Sequence, residues 1–547
     1  MLLFLYTYIF FNHCQAPKLE NPCDSRSNAF RETIALKSLL GDTSNLCGFS
    51  LTNPPSLPLK WEAQAYVKAP NTEAGDQFSY SISISGDTIV VGARYEDSNQ
   101  TTITNGSTAS ANNSAVLAGA AYVFHRTGSN WEQQAYLKAS NIESQDEFGK
   151  SVSISGDTIV VGAVGEDSNQ TTITNGSTAS ANNSASNSGA AYVYQRNGTT
   201  WTQQAYLKAP NAGDNDEFGD SVSISGDTIV VGALGEDSNQ TTITNGTTGS
   251  ADNSATDAGG VYVFQRTGGN WIQQAYLKAP NSNAFDRFGS SVEISGDTIV
   301  VGSPDEDSSL TTIINGATAD ADNSAVDSGG AYVFQRTGTT WSQQAYLKTP
   351  NAESNDKFGS SVSISKDTIV VGAPFEDSNQ TTISNGSTAS VNNSFLNSGA
   401  AYVFHRTGAT WVQQAYLKAE NTNQGDDFGR SVSIFGDTIV VAARLEDSNQ
   451  NTITNGTTAS ADNSISSSGA VYVFQRTGTN WEQQAYLKAP NADPGDQFGF
   501  ATAISGNTIA VGAYIEGSNQ NTITNGSTAS SDNSASNAGA AYVFVRK

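Results

Sequence analysis

Basic residues and histidine are scarce in this chain of 547 residues. It contains 27 Lys and Arg against 52 Asp and Glu, which gives a formal net charge of −25, and it has only three histidines. Such a surface offers no basic stripe that could displace counterions from a phosphate backbone, so nucleic acid is excluded as an expected partner. The same charge favours solubility and an attraction for cations or basic partners.

Cysteine and long apolar runs are also scarce. The three cysteines, Cys14, Cys23 and Cys47, have no Cys-x-x-Cys spacing, which argues against a structural zinc site. The apolar run MLLFLYTYIFF at residues 1–11 is too short to span a bilayer, and no later segment is long and apolar enough. We therefore expect no membrane span.

The start of the chain has features of an export signal. The apolar run is followed by Cys-Gln-Ala at residues 14–16, a small-x-small cleavage pattern. This predicts a signal peptide over residues 1–16 and a protein that is secreted or held at the cell surface. No basic residue precedes the run, and a misassigned start is the alternative interpretation.

Residues 17–60 are predicted to form an N-terminal extension with a short helix at 29–40 and a proline-rich linker. Cys23 and Cys47 flank the helix. If the protein is exported, we expect these two cysteines to form a disulfide, and two free thiols are the alternative.

Tryptophan recurs with a fixed period in the rest of the chain. Every interval between successive tryptophans is 70 residues, and they stand at Trp61, Trp131, Trp201, Trp271, Trp341, Trp411 and Trp481. A fixed period is typical of repeat proteins, in which each unit buries its apolar face against its neighbours. One large repeat domain is therefore predicted over residues 61–547.

Each copy contains four strand signals and no helical period. In the copy that begins at Trp131 they are WEQQAYLK, FGKSVSIS, DTIVVGA and GAAYVYQR. DTIVVGA is almost continuously apolar, as expected of a strand that is covered on both faces. Ser-Gly-Asp and Asn-Gly-Thr-Thr have the composition of tight turns. Four antiparallel strands in each of seven units predict an all-β fold, a seven-bladed β-propeller.

The two ends of the repeat array indicate that the ring is closed. The array begins with a Trp strand and ends at AYVFVRK, where every other copy continues into the next Trp strand. Residues 61–68 can supply the missing strand by pairing beside residues 541–546. Closure in this way leaves no exposed sheet edge, whereas an open solenoid would need distinct caps.

The repeats resemble the FG-GAP repeats of the integrin α-subunit propeller and its relatives. Phe-Gly occurs in six copies, for example Phe148-Gly149, while the first copy has Phe78-Ser79. Gly-Ala-Pro is complete at residues 372–374 and partial elsewhere, and Tyr-Val-Phe follows in most copies. The resemblance covers residues 61–547 and implies a propeller whose innermost strand carries Phe-Gly. Many family blades also carry a Ca²⁺ loop after that strand, but the Ser-Gly-Asp connection here is too short to supply six oxygens.

Two longer connections of each blade share one face of the predicted ring. In the second copy they are residues 139–147 and 164–188, and we call this side the long-loop face. Loops on a rigid scaffold are the usual place for binding. The longer loop contains Thr-Thr-Ile-Thr-Asn-Gly-Ser, which predicts a small ribbon near residues 171–180. A solvated polar loop without a ligand is the alternative.

Acidic residues supply the candidate binding groups. One Asp precedes each Phe by two residues, at Asp76, Asp146, Asp216, Asp286, Asp356, Asp426 and Asp496. With the family's strand order, these aspartates would surround the mouth of the central channel, where a carboxylate ring could bind a cation. We favour a structural role instead, in which each side chain accepts backbone N–H groups in the turn.

A second acidic feature follows the Gly-Ala element, as in Glu166-Asp167. The fourth copy adds Asp320, Asp322 and Asp327 nearby. The alternating oxygens resemble a Ca²⁺ loop, although the Gly and the closing Glu of an EF-hand are missing. Calcium is therefore a possible ligand, and a merely acidic loop is the alternative. No other cofactor is expected.

Six loops contain Asn-Gly-Ser or Asn-Gly-Thr sequons. They begin at Asn105, Asn175, Asn245, Asn385, Asn455 and Asn525. In a eukaryotic secretory pathway these turns would be candidates for glycosylation. Otherwise the match follows from the Asn- and Ser-rich composition of the loops.

Binding is the favoured function class. The histidines within the repeats, His125 and His405, take a position that other copies give to Gln, so no catalytic arrangement of Ser, Cys and His is apparent and no enzyme is predicted. We expect a monomeric adhesion or binding propeller that presents its polar, acidic loop face to a protein or glycan. A hydrolase or lyase that uses carboxylates, and a structural surface coat, are the alternatives.

Overall fold

The structure is a computed structural model that describes residues 59–547. The predicted signal peptide, the helix at 29–40 and the Cys23–Cys47 disulfide lie outside the described residues. Residues Trp61–Val545 form one compact unit. Within it, strands are the only regular structure, as the period-two patterns and β-branched runs predict.

The second strand of every blade is the most deeply buried. Its sequence is Thr-Ile-Val-Val-Gly-Ala in most copies, and every residue of it is buried because other strands lie on both sides and neighbouring blades cover both faces. These strands are Thr88–Ala93, Thr158–Ala163, Thr228–Ala233, Thr298–Ser303, Thr368–Ala373, Thr438–Ala443 and Thr508–Ala513.

The Phe-Gly segment leads into the innermost strand of each blade, as the family resemblance implies. The inner strands are Phe78–Ser85, Ser151–Ser155, Phe218–Ser225, Ser291–Ser295, Ser361–Ser365, Phe428–Phe435 and Ala501–Ser505. The third strands, on the other side of the second, are Ala120–Thr127, Ala190–Asn197, Gly260–Thr267, Gly330–Thr337, Ala400–Thr407, Ala470–Thr477 and Ala540–Arg546.

The Trp segment forms the fourth strand, and a fifth strand of two residues lies outside it. The fourth strands are Trp61–Val67, Asn130–Leu137, Thr200–Leu207, Asn270–Leu277, Thr340–Leu347, Thr410–Leu417 and Asn480–Leu487. The fifth strands are Thr104–Asn105, Thr174–Asn175, Thr244–Asn245, Ile314–Asn315, Ser384–Asn385, Thr454–Asn455 and Thr524–Asn525.

The predicted ribbon in the long loop is wrong. Thr174 and Asn175 do not pair with the residues that follow Gly176. They pair antiparallel with Tyr206 and Ala205 of the fourth strand, so the loop lies along the outer edge of the blade. This pairing satisfies backbone groups on an edge that would otherwise be exposed.

The ring closes as predicted. Trp61–Val67 lies between Ala540–Arg546 and Thr524–Asn525, so both ends of the array build the seventh blade. Lys68 forms an ion pair with Glu516 at 3.1 Å across this junction. The seven-bladed all-β propeller is therefore confirmed, with four full strands and one short strand in each blade.

The hydrophobic core consists of seven layers between neighbouring blades. In one layer Val123 and Leu137 of the first blade pack with Phe148 and Trp201 of the second. All seven tryptophans are almost completely buried. Each blade therefore depends on its neighbours for burial of apolar surface, as the repeat pattern indicates.

Close packing between blades explains the glycine of Phe-Gly. Gly149 has a φ of +94°, and a Cβ there would lie 2.3 Å from the carbonyl oxygen of Ala120 in the preceding blade. In the first copy, Ser79 takes this place with a φ of +72°. Its hydroxyl donates a hydrogen bond to the carbonyl of Ala540 at 2.6 Å, which offsets part of the conformational cost.

A bulge in the fourth strand directs a glutamine side chain toward the next blade. The ladder between the third and fourth strands shifts register at Val193, and Gln204 is left without a partner across the ladder. The Gln204 side-chain oxygen accepts a hydrogen bond from Nε1 of Trp271 at 2.8 Å. The buried indole N–H of one blade is thus satisfied by its neighbour.

The sequon asparagines also connect neighbouring blades. Asn245 donates to the carbonyl of Trp341 at 3.1 Å and accepts from its backbone N–H at 2.8 Å. The equivalent Asn315 makes the same pair of bonds with Trp411, although Asn-Gly-Ala is not a sequon. The presence of the asparagine in all seven copies therefore has a structural reason. Its side-chain nitrogen already donates a hydrogen bond to the neighbouring blade.

We expect Asn245→Ala to lower the free energy of unfolding by about 1–2 kcal/mol, because it removes two hydrogen bonds between blades. Thr247→Ala removes the same sequon without touching the amide and should leave stability unchanged. Urea unfolding of unglycosylated protein tests both variants. Equal stability of Asn245→Ala and wild type would contradict this role for the asparagine.

Candidate ligand-binding site

Buried ion pairs fix the start of each long loop. Glu166, three residues after the second strand, lies 3.0 Å from Nζ of Lys208 at the end of the fourth strand. It also accepts hydrogen bonds from Tyr206 and Asn141. Both charged side chains are almost fully excluded from solvent. The glutamates of the predicted acidic pairs are thus buried and engaged in structural contacts.

The seven aspartates that precede Phe are turn residues in the structure. Asp146 accepts the backbone N–H of Glu143 at 2.8 Å, and the other six make the same bond within 2.7–3.0 Å. All seven are buried. Burial raises the pKa of Asp146 to about 8 and that of Asp216 to about 7, with nearby glutamates adding to the effect.

The three aspartates proposed for calcium are not brought together. Asp320 accepts the hydroxyl of Ser308 at 2.8 Å, and Asp322 accepts that of Ser324 at 2.6 Å. Asp327 pairs with Lys357 at 2.9 Å. Across residues 59–547, no three acidic, histidine or cysteine side chains are arranged as a metal site. The order of oxygens in the sequence therefore does not correspond to a shared coordination sphere.

The two histidines within the repeats have the role of the glutamine that they replace. Nδ1 of His125 lies 3.2 Å from the hydroxyl of Thr88. In the next blade, Gln195 accepts the hydroxyl of Thr158 at 3.1 Å. This geometry agrees with the interpretation of His125 as a substitution within a structural position.

A cavity of about 290 Å³ lies on the axis of the ring. Three consecutive residues of each blade line the cavity, and they lie at the start of the inner strand or directly before it. The first of these positions, two residues after Phe, differs strongly among the copies. We call it the channel position, and its residues are Tyr80, Lys150, Asp220, Ser290, Ser360, Arg430 and Phe500.

Aromatic side chains gather on one side of this opening. The ring centroids of Phe500 and Tyr514 are 4.1 Å apart, and those of Phe500 and Tyr80 are 4.9 Å apart. Tyr514 follows the second strand, whose end lies beside the start of the inner strand. All three rings are partly exposed, and together they form an apolar surface at the mouth.

Cationic side chains flank the aromatic rings. The guanidinium of Arg94 lies 3.8 Å from the ring centroid of Tyr80, and Arg430 and Arg444 lie 5.4 and 5.8 Å from that of Phe500. These distances are within the range of cation–π attraction. We define the mouth cluster as these cations and rings, namely Tyr80, Arg94, Arg430, Arg444, Phe500 and Tyr514.

Most of these cations already have acidic partners. Arg444 pairs with Asp427 at 3.0 Å, and Arg94 lies 3.7 Å from Glu147. Burial and the charge of Arg444 lower the pKa of Arg430, and the charge of Asp427 offsets part of this effect. The Arg430 guanidinium forms no ion pair or hydrogen bond with the residues that the structure describes. Arg430 is therefore the cation of the cluster that is open to a ligand.

The mouth cluster was missed from the sequence, but a signal for it exists. Between residues 61 and 545, seven Lys or Arg side chains stand at positions that most copies give to other residues. Six of them lie at or close to strand ends on the long-loop face, namely Arg94, Lys150, Arg287, Lys357, Arg430 and Arg444. A comparison of the copies position by position would have found them.

The structure is a closed ring of seven blades, each built from antiparallel strands. At its axial opening the side chains differ between blades. These features define a propeller of the ligand-binding class. The sequence pattern of the FG-GAP repeat matches seven segments, residues 61–124, 131–194, 201–264, 271–334, 341–404, 411–474 and 481–544. The chain therefore belongs to the FG-GAP repeat family. No curated protein sequence matches it significantly. Among the described residues, no helix has the length and hydropathy of a membrane span.

The buried aspartates predict a pH dependence of stability. Their pKa values are raised on folding, so the stability they contribute is present below about pH 4 and is lost as the pH rises towards 8. Asp146→Asn should reduce this loss by up to about 1.4 kcal/mol per pH unit. Urea unfolding at pH 5, 6, 7 and 8 measures how the free energy of unfolding changes with pH. Asp214→Asn, at an exposed site, is the control. The assignment would be refuted if the free energy of unfolding of Asp146→Asn fell with pH as steeply as that of the wild type.

Proposed function

We propose that this protein is an extracellular binding or adhesion propeller that holds a protein or glycan ligand on the long-loop face. The ring supplies a rigid platform, since each blade is fixed to its neighbours by apolar layers and by the Trp–Gln and Trp–Asn hydrogen bonds. The proposed location outside the cell depends on the signal predicted at residues 1–16.

The mouth cluster is the observation that carries this proposal. Positions that pack between blades hold the same residue in nearly all copies, because every blade packs against its neighbour in the same way. The channel position instead holds Tyr, Lys, Asp, Ser, Arg and Phe in different blades. Aromatic and Arg side chains are the types most enriched at binding hot spots, and the mouth cluster contains both.

Calcium has no part in the proposed mechanism. Asp320, Asp322 and Asp327 each have a separate protein partner, and Lys357 neutralises Asp327. The mouth cluster binds through cationic and aromatic groups, which need no metal bridge to hold an acidic ligand.

Array screening tests the proposal with a mouth variant that keeps the fold. Ser290 and Ser360 occupy the channel position in two blades, so serine is compatible with it. We expect full-length protein to bind at least one member of an array of glycans and extracellular proteins. A triple variant with Tyr80→Ser, Arg430→Ser and Phe500→Ser should reduce that signal at least tenfold.

The matched control removes a cation and an aromatic ring from the opposite face. Lys366 and Phe435 are exposed there, at positions where other copies have Gly and Ser. A double variant with Lys366→Gly and Phe435→Ser should bind like wild type. Ligands that bind the mouth variant and the wild type equally would show that the mouth is not the binding site.

A further inference from the structure

We propose that the mouth cluster binds a terminal acidic sugar of a glycan, with the sugar carboxylate on Arg430 and the sugar ring against Phe500. This inference rests on the proposed function and names the chemical class of its ligand. Three properties of the opening support it: its size, the unpaired arginine beside an aromatic surface, and the hydroxyl groups of the fourth and fifth blades.

The size of the cavity fits a single ring. At about 290 Å³, it is at the lower limit of small-molecule sites, which typically range from about 300 to 1,000 Å³. The cavity is open to solvent at the mouth, so the rest of a chain can extend away from it. A terminal unit can therefore enter the cavity.

The charge distribution favours an anion at this one place, in a protein with a net charge of −25. Arg430 and Arg444 both lie within 6 Å of the Phe500 ring centroid, and Asp427 is bound to Arg444. An anion on Arg430 would relieve the repulsion between the two guanidinium groups. Arginine holds carboxylates through two parallel hydrogen bonds, which also fix the orientation of the ligand.

The aromatic surface next to Arg430 favours a ligand with a flat apolar face. Phe500 contacts Tyr514 and Tyr80 at centroid distances of 4.1 and 4.9 Å, and these two tyrosines contact each other at 5.7 Å. The C–H face of a pyranose ring stacks on such a surface, while an inorganic anion gains nothing from it. The cluster is thus suited to an organic acid with a ring.

The channel positions of the fourth and fifth blades offer hydroxyl groups. Ser290 and Ser360 donate to the carbonyls of Arg287 and Lys357 at 2.8 and 2.7 Å. Their oxygens keep free lone pairs and can accept hydrogen bonds from ligand hydroxyls. A uronic or sialic acid has the matching set of groups: a carboxylate, an apolar face and several hydroxyls.

Calorimetric titration of the full-length protein with methyl β-glucuronide tests the inference. We expect a Kd of about 1 mM, a weak affinity that is usual for a ligand of this size. Methyl β-glucoside lacks the carboxylate and should bind at least tenfold more weakly. Arg430→Ser should weaken glucuronide binding by about 10- to 100-fold, because a charge-assisted bond is lost, and Lys366→Gly should leave it unchanged.

Three results would overturn the inference. They are equal affinity for the glucuronide and the glucoside, wild-type affinity in Arg430→Ser, and tighter binding of N-acetylglutamate amide, which would assign the mouth to an acidic peptide. Melting temperatures of the variants confirm that they are folded.

If array ligands require the mouth cluster but no acidic sugar binds, this inference fails and the proposed function stands. If array ligands ignore the mouth cluster, the proposed function fails.

Discussion

The buried pair of lysine and glutamate is the interaction on which the arrangement of each blade depends. Lys208 at the end of the fourth strand meets Glu166 at the start of the long loop, and Lys68 and Glu516 repeat the contact where the chain closes. Loss of one partner would leave a buried charge, at a cost of about 3–5 kcal/mol. The pair therefore fixes both where the loop begins and how the outer strand ends, and so it shapes the long-loop face.

Much of the fold could be predicted from the sequence because the repeat amplifies weak local signals. The 70-residue spacing from Trp61 onward and the missing Trp strand of the seventh copy indicate seven blades and a closed ring. The Asn-Gly ribbon was wrong because a nearby strand edge competes with local hairpin pairing, and Asn175 pairs with Ala205 instead. Local turn propensity cannot reveal such a tertiary partner.

The candidate site could be predicted only in part. The turn role favoured for Asp146 agrees with its hydrogen bond, since the spacing to Glu143 is local. Arg430 and Phe500 are 70 residues apart and meet only because neighbouring blades bring them to the ring axis. Within one copy each looks like ordinary surface variation. Their significance appears once equivalent positions from all blades are placed around one opening.

The shared seventh blade has a consequence for assembly. The edge that Trp61–Val67 covers would accept the same strand from a second molecule equally well, since the contacts would be identical. Closure within one chain prevails through effective concentration, which is in the millimolar range for a tethered segment. At very high protein concentration, or during refolding, the same geometry provides a route to domain-swapped chains of propellers.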